Sequence, residues 1–427
     1  MCALALSEKP QTNSCAKADV LTVFLTGNEL GALKPCGCSG GQLGGLERRP
    51  SVFNTARKQK RLIIDTGDLV QTDGEQDLLK FNIIFEAFRL LGYDLVNLTR
   101  KDLETAQNLG LLANPVAGFI SPYGTGEKIA AVFRKQYSIK QENITITVLT
   151  LDLETSPIQQ IKEVFTREPD QKSVNILIIS RCDDAIISNI AEMGIVDCLI
   201  YPSDSDEPEV ISDPNSPATG KSPLVFSIGR FGRYISKLQI GLDQGKLNLT
   251  LSTIPVTEDL PQEKSLVELY KTYQQLVKQA NLLEKYPRFT LPNGLEYADS
   301  ESCKPCHEYE YEQWSQKAHA QAYSKLEEVG SQFDPECVIC HVVGMKYESG
   351  YISEQQTSHL KNVGCENCHG PGSEHNATLG KAKTTEPKST CLDCHTPETS
   401  SEYAGNEQLY LEKIIHWKEP NTPSNVE

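Results

Sequence analysis

The stretch Val363–His375 reads VGCENCHGPGSEH, and within it Cys365, Cys368 and His369 stand in the order Cys-x-x-Cys-His. The same order returns at Cys303, Cys306 and His307, at Cys337, Cys340 and His341, and at Cys391, Cys394 and His395. From this chain's own cysteine and histidine frequencies, chance would supply on the order of 0.01 copies. The spacing has a chemical reason. Two thiols so placed add across the two vinyl groups of a haem, and the histidine after the second lands beneath the iron as its proximal ligand. Zinc is the competing reading, since Cys-x-x-Cys pairs also build zinc knuckles. A zinc site joins two pairs into one tetrahedron, however, and gives no reason for a histidine after every pair. The expectation is four covalently bound haem c groups.

Histidine placement divides the chain. All 8 histidines of the 427 residues lie between His307 and His416. With the four proximal ones set aside, His319, His359, His375 and His416 remain, one for each iron. A second imidazole on each iron gives a low-spin centre that changes oxidation state with little rearrangement, which suits electron transfer. An iron lacking one would be open to substrate. Met345 is the only methionine in this region and is expected to pack rather than ligate.

Residues from about Glu296 to Trp417 resemble the tetrahaem cytochrome c-554 family, relatives of the cytochromes that take electrons from hydroxylamine oxidation. The likeness rests on Trp314–Leu326 (WSQKAHAQAYSKL), Cys337–Gly344 (CVICHVVG) and Val363–His375. It implies that His319 and His375 are distal ligands, and His416, followed by an aromatic residue, fits the late one. His359 is less typical of the pattern. That family has one iron without a sixth protein ligand, so the ligation of one haem stays open. The region is expected to be mainly helix and loop wrapped on porphyrin, with little core of its own.

The N-terminal part alternates strand and helix signals. Short β-branched runs at Val20–Leu25, Arg61–Ile64, Leu95–Leu98, Ile144–Leu151, Val174–Ile179 and Cys198–Ile200 predict strands, and Leu78–Leu91 and Asp184–Met193 predict helices. The alternation indicates an α/β sandwich. From about Val20 to Pro255 the order resembles the metallophosphoesterase domain of periplasmic 5′-nucleotidases, through Leu25–Pro35, Leu46–Arg49, Ile64–Asp68, Tyr93–Leu103 and Pro223–Leu238. The metal ligands implied by that resemblance are missing. Asn28 and Leu30 replace Asp-x-His, Thr99-Arg100-Lys101 replaces Gly-Asn-His, and Arg181 stands where a later ligand belongs, while Asp68 survives. A dinuclear centre needs several carboxylates and imidazoles. The expectation is a fold kept and a hydrolase lost, with this domain as a docking scaffold.

Four units follow: residues 1–19 as the remnant of an export or anchor segment, 20–255 as the metallophosphoesterase-like domain, 256–295 as a linker with a helix, and 296–427 as the tetrahaem domain. The linker helix is read from Gln262 to Glu284, with apolar residues at helical spacing. Cys182 and Cys198 are a candidate disulfide that geometry must decide. Pro35-Cys36-Gly37-Cys38 is read in two ways, as an exposed redox-active thiol pair or as thiols that pack beside the turn.

The net charge of −16 argues against nucleic acid. No run of 18 apolar residues offers a transmembrane span. Haem c is attached outside the cytoplasmic membrane, so a periplasmic or otherwise extracytoplasmic location is expected. Cys2 is a candidate lipid anchor. Two functions compete: an electron carrier working with redox protein partners, and an oxidoreductase acting on a small nitrogen or sulfur species at an open haem, or on a thiol substrate at Cys36 and Cys38.

Overall fold

Aliphatic runs long enough to cross a sheet, separated by turn and helix signals, bury both faces of a mostly parallel sheet. The computed structural model of the chain describes residues 20–35, 40–123, 133–134, 136–141, 144–155, 158–165, 172–213, 222–243, 246–385, 387 and 391–418. Its strands are β1 (Leu21–Thr26), β2 (Arg61–Asp65), β3 (Leu95–Asn97), β4 (Gly118–Ile120), β5 (Phe133–Arg134), β6 (Gln136–Gln141), β7 (Ile144–Leu151), β8 (Lys172–Ile179), β9 (Cys198–Pro202), β10 (Val210–Ser212), β11 (Leu224–Ile228), β12 (Tyr234–Asp243) and β13 (Lys246–Pro255).

They form two sheets, ordered β13-β12-β1-β2-β3-β4-β5 and β10-β11-β9-β8-β7-β6. Strands β1 to β5 run parallel, and the antiparallel ribbon β12–β13 is added beside β1. Period-two alternation sorts the side chains of β1. Val23 and Leu25 enter the core between the sheets with Ile146, Ile176 and Phe226, whereas Phe24 faces the opposite way. On that outer side the helix Glu75–Leu91 lays Phe81, Ile84, Phe85 and Phe88 onto the first sheet. The helix Asp184–Met193 covers the second sheet through Ile190. The result is an α/β sandwich of four layers.

The helix Lys264–Ala280, read from the sequence as part of a linker, buries Leu266, Tyr273 and Val277 in the same cluster as Phe81 and Phe88. It is a layer of the sandwich core as well as a connection. Cys198 lies buried in β9, Cys182 is half-buried after β8, and both are free thiols. Burial pushes the Cys182 thiol up to about 11.

Beyond residue 295 the chain is short helices and turns: Glu308–Ser315, Ala322–Val329, Pro335–Val338, Cys365–His369, Ser373–Ala377 and Glu407–Ile414 among them. A small core of Tyr323, Leu326, Val338, Val342, Tyr351 and Leu360 includes Met345, which is packed and 1% exposed. Among the described residues no helix is long and apolar enough to cross a membrane.

Candidate haem centre

Each Cys-x-x-Cys-His motif sits in a tight turn or the first turn of a helix, so that the two thiols and the ring project from one short piece of backbone. The third is the clearest. Its helix Cys365–His369 is fixed by the buried Glu366, whose carboxylate accepts from Ala298 N at 2.8 Å, Asp299 N at 3.0 Å and Gly372 N at 2.7 Å. Ser300 Oγ accepts from Cys365 N at 3.1 Å. Burial raises the Glu366 carboxyl against the pull of these three backbone donors. These anchors were not foreseen from the sequence, although a glutamate inside the motif beside a Gly-Pro-Gly turn was a signal for them.

The rings pair across long stretches of chain. His307 faces His375 with ring centres 6.2 Å apart, His319 faces His395 at 6.2 Å, and His369 faces His416 at 6.4 Å. With a metal–imidazole bond of about 2 Å and a ring nitrogen roughly 1.1 Å from its ring centre, two imidazoles on opposite sides of one metal stand about 6.3 Å apart. The three observed spacings therefore fit one iron between each pair. Each pair joins the histidine of one motif to a histidine from elsewhere in the chain.

Ring orientation fits as well. The Nδ1 atoms of His375, His416 and His341 bond the carbonyls of Ala382 at 2.9 Å, Ile414 at 2.9 Å and Ala322 at 2.6 Å. His395 Nδ1 bonds Ser400 Oγ at 2.8 Å. An imidazole whose Nδ1 proton goes to an oxygen presents its Nε2 lone pair to a metal. Burial lowers the proton affinity of His319, His341 and His395. Tyr403 stacks on His395 with centres 5.0 Å apart, and Tyr410 meets it edge-on at 5.5 Å.

A narrow cleft lies between His369 and His416, lined also by Cys365, Cys368 and Trp314. Trp314 Nε1 donates to Val363 O at 3.0 Å and so stands fixed as a flat wall. Both thiols, both imidazoles and an aromatic face thus border one space. The motifs also meet one another. Cys303 stands beside Cys365, and Cys394 beside Cys340.

His359 is placed differently from the other three candidates. It lies exposed on the turn Ser358–Leu360, and among the described residues no ring is recorded against it. Cys36 and Cys38 lie outside the described residues. Their described flank Gly41 approaches Glu402, seven residues past His395 in the chain.

In the sandwich, the loops after β1 and β2 hold polar residues rather than a ligand cage. Asn28 Nδ2 donates to Ser203 O at 2.9 Å. Arg49 and Glu29 form an ion pair at 2.5 Å, both fully buried, and Arg49 also donates to Tyr93 Oη at 3.0 Å. Asp65 accepts from Thr26 Oγ1 at 2.6 Å. Asp68 has a left-handed φ of 62°, and burial raises it to about 6. Among the described residues no three His, Cys, Asp or Glu side chains converge to hold a metal ion.

Comparison with known proteins separates the two halves. The sequence profile of the family "Cytochrome c554 and c-prime" matches residues 302–370, a stretch that contains the first three motifs. The C-terminal region is a cytochrome c554-like domain. It is 33% identical over 105 residues to cytochrome c-554 of Nitrosomonas europaea, a match that takes in 20% of this chain and 45% of that protein, less than half of the relative's length. The N-terminal sheets resemble those of calcineurin-like phosphoesterases. A 5′-nucleotidase precursor from Thermus thermophilus is 14% identical with a TM-score of 0.45, over 73% of this chain and 68% of that one. A putative 5′-nucleotidase from Staphylococcus aureus is 13% identical with a TM-score of 0.46, over 72% and 66%. The likeness of the C-terminal region is thus to a family of c-type cytochromes.

Proposed function

We propose that the chain carries four haem c groups, on Cys303/Cys306, Cys337/Cys340, Cys365/Cys368 and Cys391/Cys394, and passes electrons between redox protein partners outside the cytoplasmic membrane. His307, His341, His369 and His395 are the proximal ligands. His375, His319 and His416 would complete three sets, as His307–His375, His319–His395 and His369–His416. The observation that carries this reading is the ring spacing of 6.2 to 6.4 Å in all three pairs. Bound haem supplies a one-electron couple on each iron. The protein's part would be to hold two imidazoles on each of three irons and His341 on the fourth, and to set the motifs side by side so that neighbouring groups lie close.

Residues 20–255 act as the docking scaffold, by the rule that a fold does not fix a function. The domain division at 255 and 295 follows the sequence reading. A pyridine haemochrome assay on protein from a host competent in haem c assembly is expected to return four haems per chain; fewer than three would overturn the assignment. An all low-spin electron paramagnetic resonance spectrum of the oxidised protein supports the carrier. A high-spin ferric signal would replace it with an oxidoreductase.

A further inference from the structure

The short helix Pro335–Val338, which leads into the second attachment motif, is gripped by side chains of the sandwich. Asp334 caps it, accepting from Glu336 N at 3.0 Å. The same carboxylate accepts from Gln76 Nε2 at 2.8 Å and from the Tyr273 hydroxyl at 2.9 Å. One turn along from Gln76, on the helix Glu75–Leu91, Lys80 Nζ donates to Glu336 and lies 3.8 Å from Asp77. Lys80 is only 6% exposed, whereas Glu336 lies on the exposed side of its helix.

A buried ammonium is costly and persists where it is paired. Here its partner is the residue immediately before Cys337. Since successive Cα atoms are about 3.8 Å apart, the ammonium lies on the order of 10 Å from the Cys337 thiol. Charges at that range inside a protein are screened much less than exposed ones.

We propose that Lys80 of the N-terminal domain, together with Glu336, sets the reduction potential of the haem attached at Cys337 and Cys340. The inference rests on the haem-attachment reading of Cys337–His341. Reduction adds an electron, so a nearby cation favours the reduced form and a nearby carboxylate the oxidised form. Lys80 and Glu336 pull in opposite senses, and Asp77 and Asp334 add to the carboxylate side. The sandwich domain is on this account a tuning element for one step of the electron path as well as a scaffold.

The test is a spectroelectrochemical titration of the full-length holoprotein beside Lys80→Met, Glu336→Gln and the double variant. One one-electron step is expected to move to lower potential in Lys80→Met and to higher potential in Glu336→Gln. Each shift is a three- to tenfold change in the reduction equilibrium, about 28 to 59 mV at 59 mV per decade. The double variant should fall between the two. A purely mechanical clasp would move both single variants in the same direction or leave both unchanged, and either result overturns the proposal. Because Glu336 is exposed, Glu336→Gln keeps the test alive if Lys80→Met does not fold. Mass spectrometry of the peptide Leu326–Lys346 separates the two levels. A peptide without haem overturns the attachment reading; a haem-bearing peptide with unshifted potentials overturns the tuning alone.

Discussion

His319 and His395 stand with ring centres 6.2 Å apart, and Ser400 fixes the second ring through Nδ1. Replacing His319 by Ala should leave the iron opposite it with one imidazole. The variant is expected to gain a high-spin ferric signal and a carbon monoxide adduct, both read by visible and magnetic spectra. Unchanged spectra would remove His319 from the ligand set. Another single side chain makes stability depend on pH. Burial first, then the neighbouring Glu29 charge, raises Asp65 to about 8 from 3.8. Between those values the folded chain holds a proton that the unfolded chain has released, so the contribution of Asp65 to stability is fullest below about pH 4 and is lost as pH rises through 8. Asp65→Asn cannot ionise and should flatten that decline. Denaturant unfolding at about pH 5 and pH 9 checks it, the wild type losing more stability than the variant over the interval.

At the scale of elements, the helix Lys264–Ala280 joins the two halves physically. Its buried Leu266 and Val277 pack on the sandwich, and its Tyr273 hydroxyl reaches Asp334. Leu266→Ala should cost about 2–4 kcal/mol by lost burial and a residual cavity, measured as a shift in denaturant midpoint at constant slope. The apolar spacing over Gln262–Glu284 made this helix legible in the sequence. Its destination was not legible, because the periodicity shows that one face is apolar and leaves open which surface covers it. Strands β4 and β5 escaped notice for another reason. They hold three and two residues, too short for an alternating pattern to stand out. Strand β12 was met only as the end of the similarity motif Pro223–Leu238, and β13 was not singled out. Both strands nevertheless carry a period-two pattern, Leu238, Ile240 and Leu242 in β12 and Leu247, Leu249 and Leu251 in β13.

For the whole molecule, the sandwich presents at its strand ends a buried Arg49–Glu29 ion pair and Asn28 bonded to Ser203, and among the described residues no metal-holding cluster. Added manganese or zinc should give no nucleotide hydrolysis. Hydrolysis that appears with metal and vanishes in Asp68→Ala would show a living site. The two halves touch through Lys80 and Glu336 and through Arg230 and Glu398, the latter at 3.6 Å and partly exposed. The sequence by itself carried the haem-attachment reading, since Cys-x-x-Cys-His is a local pattern complete within five residues, and it determined the α/β alternation, which is periodicity along the chain. It also bounded the set of remaining histidines. Which of them meet, His307 with His375, His319 with His395 and His369 with His416, was decided by tertiary structure alone. So were the carbonyls that orient the rings and the grip of the sandwich on Asp334 and Glu336. The physical reason is the same in each case: those contacts join residues far apart in the chain, and no local spacing encodes which of several equivalent side chains the folded backbone will bring together.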